Sequence, residues 1–459
     1  MKKHLFLLAA LALSLAACTT EPNGPEGPKG DGTQTETSAT QLTRMAVQTG
    51  RMVAVTEADA QNDSWLNPPT YGEDQNIMFS ATSLDFSEDG NYIYISWHSN
   101  RAQDLDEDSE EHNHGTNVDG DSEPSLDADK SWGGILDVIS VDNNECVALY
   151  SQPEHKYNYV KYYDGNLYLA STSWFVGAAL HVIPANGAEL STTEAYRVTL
   201  DGHSANCVEV VDGNILTVSG RTEGGLNLFA ADAAEAGASK TETTNFGGKF
   251  AYKSGDNVYV LYETKEESEY IPYVRVYNAD LTSYEEFKVE SAANEDGETE
   301  VYKLTPIDGK NVLVVNDGKI YVCCGQYGLH VFEKSGDSYT EVGNSHKNNA
   351  DNANAEPSNN YYAANGVDVD DENIYIANGA GLVILDKAEL NSRGGYKLKK
   401  NIQFDGTASW IANGNDKTAA GQVKESSNFV KVKDGKAYVA YGMYGLRIHD
   451  ISAYKTAQE

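Results

Sequence analysis

The sequence predicts an all-β chain folded as a single β-propeller, seven blades of four strands each, closed into a ring by an N-terminal strand. Two observations carry this expectation. The first is a hairpin, Phe429-Val-Lys-Val-Lys-Asp434-Gly435-Lys-Ala-Tyr-Val-Ala440, in which an Asp-Gly pair separates two alternating apolar runs. A two-residue type I′ turn needs positive φ at both central positions, and Asp-Gly supplies it. The second is that such a hairpin occurs seven times, each copy followed by a third apolar run. A small sheet copied around an axis is a propeller. Composition agrees, since 29 tyrosines against 11 prolines suit strands.

Residues 1–17 read as a secretory signal. Lys2 and Lys3 precede an apolar run, Leu5 to Leu15, that is too short to span a bilayer as a helix. The sequence Leu15-Ala16-Ala17-Cys18 resembles the lipobox of bacterial lipoproteins, which implies that Cys18 becomes the acylated N-terminus and tethers the protein to a membrane. Thr19 in place of Asp implies the outer membrane, with the body facing the periplasm or the cell surface. Residues 18–44 form the lipidated cysteine and a Gly/Pro/Thr-rich linker. Its Gly-Pro spacing lasts barely three triplets, and without sustained apolar residues it reads as a spacer. The propeller is expected over 45–459. Loss of the two signal lysines takes the net charge from −35 to −37, which makes nucleic acid and anionic lipid surfaces poor partners.

Within the propeller a polar residue stands six positions ahead of each hairpin turn: Ser83, Asn158, Asn206, Lys249, Asn311, Asn365 and Asn428. Second strands follow at Tyr92-Ile-Tyr-Ile, Leu167-Tyr-Leu, Ile215-Leu-Thr-Val, Val258-Tyr-Val, Ile320-Tyr-Val, Ile374-Tyr-Ile and Ala437-Tyr-Val. Fourth strands are weaker, as at Cys146 to Tyr150, Tyr196 to Leu200 and Tyr396 to Phe404. The last unit runs out of chain before its fourth strand. A spare strand, Arg51-Met-Val-Ala-Val-Thr-Glu57, precedes the first, and it is expected to complete the seventh blade and remove the open sheet edges.

The phrases Gly445-Leu-Arg-Ile-His-Asp450 and Asp434-Gly-Lys-Ala-Tyr-Val-Ala440 resemble the repeats of the LVIVD-repeat propellers, a family of bacterial surface and envelope proteins. The resemblance is sharp in units five to seven and loose in units one and four. It implies the fold and an envelope setting, and it carries over no catalytic residue.

In a four-stranded blade the first-to-second and third-to-fourth turns share one face, while the second-to-third loops and the crossings between blades share the other. Here the length gathers on the second, upper face, where function usually sits. Trp97, Trp174, Trp410 and Tyr444 belong to it. The ring of Asn158, Asn206, Asn311, Asn365 and Asn428, with Lys249 as its one cation, has two readings. Each amide either pins a crossing to the neighbouring blade's backbone or offers a hydrogen bond to a ligand. On the second reading the propeller is a non-catalytic binding module for a glycan or peptide. The alternatives are a glycan or peptide hydrolase or lyase with a site on the same face, and a scaffold in an envelope complex.

An acidic insertion over 101–131 carries eleven carboxylates between Asp104 and Asp129, with neither Lys nor Arg among them. A solvated loop held open by self-repulsion is one reading. A weak Ca²⁺ site is the other, because Asp104-x-Asp106-x-Asp108 can aim hard oxygens at one centre, although the Gly and Glu of an EF-hand loop are missing. His112-x-His114 suggests a transition metal more weakly still. No cofactor is otherwise implied. The cysteines of the body, Cys146, Cys207, Cys323 and Cys324, have neither redox nor zinc spacing and read as buried thiols. The sequence contains no GxSxG elbow, HExxH, CxxCH or Walker loop.

Overall fold

The structure, a computed structural model, describes residues 40–42 and 77–455 apart from 102–133, 145, 153–154, 174–176, 221–223, 232–238, 243–244, 294–295, 306–308, 346–362, 379–380, 393, 404–426 and 443–444. A three-residue strand, β1 (Thr40–Leu42), comes first. Blade one follows as β2 (Ile77–Phe86), β3 (Tyr92–Arg101), β4 (Gly134–Ser140) and β5 (Cys146–Gln152). Blade two is β6 (Lys156–Tyr163), β7 (Asn166–Ser173), β8 (Gly177–Asn186), the short β9 (Glu189–Leu190) and β10 (Tyr196–Thr199). Blade three is β11 (Ser204–Val211), β12 (Asn214–Gly220), β13 (Leu226–Ala230) and β14 (Ser239–Glu242). Blade four is β15 (Gly247–Ser254), β16 (Asn257–Glu266), β17 (Glu269–Asn278) and β18 (Tyr284–Lys288). Blade five is β19 (Leu313–Asn316), β20 (Lys319–Cys323), β21 (Leu329–Ser335) and β22 (Ser338–Asn344). Blade six is β23 (Ala364–Val369), β24 (Asn373–Asn378), β25 (Gly381–Leu390) and β26 (Tyr396–Gln403). Blade seven is β27 (Phe429–Lys433), β28 (Lys436–Ala440), β29 (Leu446–Asp450) and β1.

The protein is therefore an all-β, seven-bladed propeller closed by an N-terminal strand. Every blade is an antiparallel meander, and the seven first strands neighbour one another in order, β27 returning to β2. The closing strand is not the one the sequence suggested. Thr40–Leu42 pairs with β29 in the register Thr40↔Ile448, Gln41↔Arg447 and Leu42↔Leu446, so the folded body begins inside the expected linker, while Arg51 to Glu57 lie outside the described residues. Blades two and three also merge into one nine-stranded sheet, because Ser204 of β11 pairs with Thr172 of β7.

Four of the turns have the expected geometry, with φ positive at both central residues of Asp164-Gly165, Asp212-Gly213, Asp317-Gly318 and Asp434-Gly435. Blade six departs from it. There Asp370, not Asp371, makes the turn, its carboxylate accepting the N–H groups of Glu372 (2.9 Å) and Asn373 (2.8 Å).

The core lies between the blades. Successive residues of a strand point to opposite faces, so β3 sends Tyr94 towards blade two and Ile93 and Ile95 into the opposite interface. Second strands are covered on both sides; Ile374, Tyr375, Ile376 and Ala377 are all buried. Each large side chain so covered stabilises the ring by about 1.5–3 kcal/mol.

Candidate functional site: the axis and the upper face

The first strands place the polar ring residues deep between blades. Asn158 donates from Nδ2 to the Ala205 carbonyl of blade three (2.8 Å), Asn206 to Gly248 O of blade four (2.7 Å) and Asn365 to Ser427 O at the head of blade seven (2.7 Å). Asn428 donates to Ala81 O (2.7 Å) and so bolts the last blade to the first. Asn311 turns instead to its own crossing, exchanging hydrogen bonds with the N–H and carbonyl of Thr305 (2.8 and 2.9 Å). All five are buried. Gly366 shows how closely the blades meet here, since a Cβ on it would lie 2.8 Å from Asn428 O. These amides are latches, not a ring of ligand donors, and the binding role considered for them is corrected accordingly. Lys249 is buried too and pairs with Glu263 of the adjacent strand of its own blade at 3.0 Å.

Below the latches aromatic rings meet across the axis. Tyr159 of blade two meets Phe250 of blade four (centroids 5.6 Å) and Phe429 of blade seven (5.7 Å), both edge-on. Contacts between blades that are not neighbours can be made only across the centre. Towards the tight-turn mouth follows a level that sequence reasoning missed: Asp85, Lys161, Glu209, Tyr252, Val314, Asp368 and Lys431, one from each first strand, each opposite the central residue of the second strand. A signal for it existed, because six of the seven stand three residues after the latch position. Lys161 pairs with Glu209 at 3.0 Å, and Lys431 pairs with Asp85. Two carboxylates reach the next blade's backbone, Asp85 accepting Tyr162 N–H (2.9 Å) and Asp368 accepting Val432 N–H (2.6 Å).

Burial pushes the Asp85 carboxyl up, but Lys431 and Lys161 outweigh it and hold the group below the ordinary value. Lys161 is likewise raised by Glu209 and Asp85 against its own burial. Asp368 has no such pair. Burial pushes its pKa up to about 6 despite the N–H groups of Val432 and Val369 and the charge of Lys431.

A second polar cluster sits at the top of the interface between blades one and two. His155 Nε2 lies 2.8 Å from an Arg197 guanidinium nitrogen, which can only donate, so the imidazole is neutral. Its Nδ1 lies 3.3 Å from Ser171 Oγ, and its ring packs edge-on against His181 at 4.5 Å. Burial, then Arg197, pushes the His155 pKa down to about 4. Burial, His155 and Arg197 hold His181 well below the ordinary value; its Nε2 meets no partner among the described residues.

The pH dependence follows from proton counts. Between about pH 6.5 and 4 the unfolded chain protonates His155 and the folded one does not, so its contribution is present above 6.5 and lost as pH falls, and His181 acts in the same direction. Asp368 acts oppositely. The folded state holds its proton between 3.8 and about 6, so stability is lost as pH rises through that window. Asp368→Asn removes the titration but sets an amide NH2 against one of the two backbone N–H groups that the carboxylate accepts, so its stability relative to the parent is expected to start low near pH 4 and to rise by about 1–2 kcal/mol towards pH 7. Urea midpoints across this range check it, and a difference independent of pH would contradict the assignment.

Trp97 is 2% exposed, and its indole N–H finds no partner among the described residues. It belongs to the core and is not available as a ligand platform. Cys18, Trp174, Trp410, Tyr444 and the metal candidates Asp104, Asp106, Asp108, His112 and His114 lie outside the described residues. Cys146, Cys207, Cys323 and Cys324 form no disulfide among the described residues. Part of the upper face is described over blades four and five. Tyr302 of the crossing 289–312 stacks on His330 (centroids 3.5 Å, 21° between planes), and His330 Nδ1 lies 2.7 Å from Glu341 Oε1. That crossing is fastened to the blade tops by specific contacts.

No protein-family model matches the chain, nor does any curated protein sequence. Among solved structures it is similar to the computationally designed Ika8 protein, at 10% identity and a TM-score of 0.43 over 82% of this chain and 97% of that one. It is similar also to a candidate 6-phosphogluconolactonase from Bacteroides uniformis ATCC 8492, at 11% identity and a TM-score of 0.43 over 69% of this chain and 83% of that one. Another candidate 6-phosphogluconolactonase, from Bacteroides fragilis NCTC 9343, gives 12% identity and 0.43 over 71% and 84%. These likenesses are too loose to carry an argument, and the fold rests on the strand pairing itself.

Proposed function

We infer that the protein is an acylated envelope lipoprotein, tethered through Cys18, whose propeller presents its upper face as a non-catalytic binding surface for a glycan or peptide. The observation that carries this reading is the asymmetry of the connections. On one face they are short, such as 164–165, 212–213, 317–318 and 434–435; on the other they include 43–76, 102–133, 289–312, 345–363 and 404–428. A rigid ring with its variable length on one side is a scaffold for recognition. The resemblance to LVIVD-repeat envelope proteins supports the same setting. The axis offers little alternative, because Lys161 and Lys431 are spent on Glu209 and Asp85 and the rings of Tyr159, Phe250 and Phe429 meet across it.

Aromatic faces bury the apolar side of a sugar or side chain at small entropic cost, and the sequence places Trp174 between β7 and β8 and Trp410 between β26 and β27. The double substitution Trp174→Ala/Trp410→Ala is expected to weaken a ligand found on a glycan or peptide array by at least about tenfold, with an unchanged melting temperature. Affinity that survives both changes would place the working surface elsewhere.

A further inference from the structure

We propose that the protein hangs from its membrane by the tight-turn face, so that the long-loop face looks away from the bilayer. The proposal rests on acylation at Cys18, as inferred above, and adds a direction to it.

The direction is set by the closing strand. β29 starts at Leu446, beside the upper connection 441–445, and ends at Asp450; the next residue, Ile451, donates its N–H to Gly435 O of the lower turn (2.9 Å). β1 runs antiparallel to it, with Leu42 opposite Leu446 and Thr40 opposite Ile448. The chain therefore climbs from the lower rim to the upper one, and whatever precedes Thr40 enters from below. The last described residues lie on the same rim. Tyr454 O accepts from Asn373 Nδ2 (3.2 Å), and Lys455 pairs with Asp370 of the lower turn of blade six (3.1 Å).

Because β1 is hydrogen-bonded into the sheet, the tether joins the body from the lower side. To bring the upper face to the lipid it would have to double back along the height of a blade, roughly 30 Å, nearly half of the about 70 Å that its 21 residues span when fully extended. Residues 19–39 contain no sustained apolar run to hold them against the flank. In that orientation a ligand of the upper face arrives from the side opposite the protein's own lipid, which favours a glycan or peptide that is free or carried on another surface over headgroups of the anchoring membrane.

The test uses the acylated full-length protein in phosphatidylcholine vesicles containing a rhodamine-headgroup lipid. A donor dye is placed in turn on Asp256→Cys in the lower turn of blade four and on Ser268→Cys in the upper turn of the same blade, both in a Cys146→Ser background. Both positions are exposed. Energy transfer to the lipid is expected to be at least about twice as efficient from position 256 as from position 268. A second arm uses Cys18→Ser protein carrying a C-terminal histidine tag on vesicles with a nickel-chelating lipid, and there the same order is expected. Equal or reversed transfer in both arms overturns the orientation. The expected order in the tagged arm, with the untagged wild type absent from the membrane fraction, overturns the acyl tether and leaves the geometry of the ring intact.

Discussion

Lys249→Met is expected to destabilise the protein by about 3–5 kcal/mol, the loss typical of removing one partner from a buried ion pair. The ammonium of Lys249 is almost wholly enclosed and lies 3.0 Å from the Glu263 carboxylate, which is itself only 12% exposed. Without Lys249 that carboxylate must stay charged in a poor solvent or take up a proton. The companion variant Lys249→Met/Glu263→Met should regain most of the loss, because two apolar side chains of similar bulk can replace the pair without leaving a lone charge. Urea denaturation of the two variants separates the possibilities. A single variant as stable as the parent would mean that solvent reaches Glu263 after all.

Replacing Thr40-Gln41-Leu42 by Pro-Gly-Pro, which keeps the length of the tether, is expected to open blade seven. Proline has no N–H for the ladder, so β29 loses its partner and becomes an exposed edge. At about 1 kcal/mol for each ladder hydrogen bond lost, the cost is about 2–3 kcal/mol. Concentration-dependent self-association should accompany it, visible by light scattering. An unchanged melting temperature together with unchanged scattering would show that the ring does not depend on this strand. The Asn428 latch to Ala81 would then be the sufficient closure.

Much of this architecture was legible because its signals are local. Asp164-Gly165 and Asp434-Gly435 announce turns that only certain residues tolerate, and the double-sided burial of Ile374-Tyr-Ile shows as an unbroken apolar run. The closing strand was not legible. Arg51-Met-Val-Ala-Val-Thr-Glu57 alternates far better than Thr40-Gln-Leu42, but a three-residue strand is chosen by where the backbone edge of β29 waits, and no side-chain period records that. The asparagine ring could be seen as a pattern but not read as a role. Latch and ligand donor require the same residue at the same spacing, and only the distance from Asn206 Nδ2 to Gly248 O decides between them. The charge level fared worse. Asp85, Lys161, Glu209, Asp368 and Lys431 share a register but not a sign, so the fixed spacing from the latch marks the level without showing which charges meet in it.

The rings of Tyr159, Phe250 and Phe429 have a mechanical consequence. A propeller with an open bore can flatten into an oval, letting opposite blades approach without strain. Here blade two bears directly on blades four and seven through one phenol. At that level the ring resists flattening, because a push on blade two is passed directly to blades four and seven.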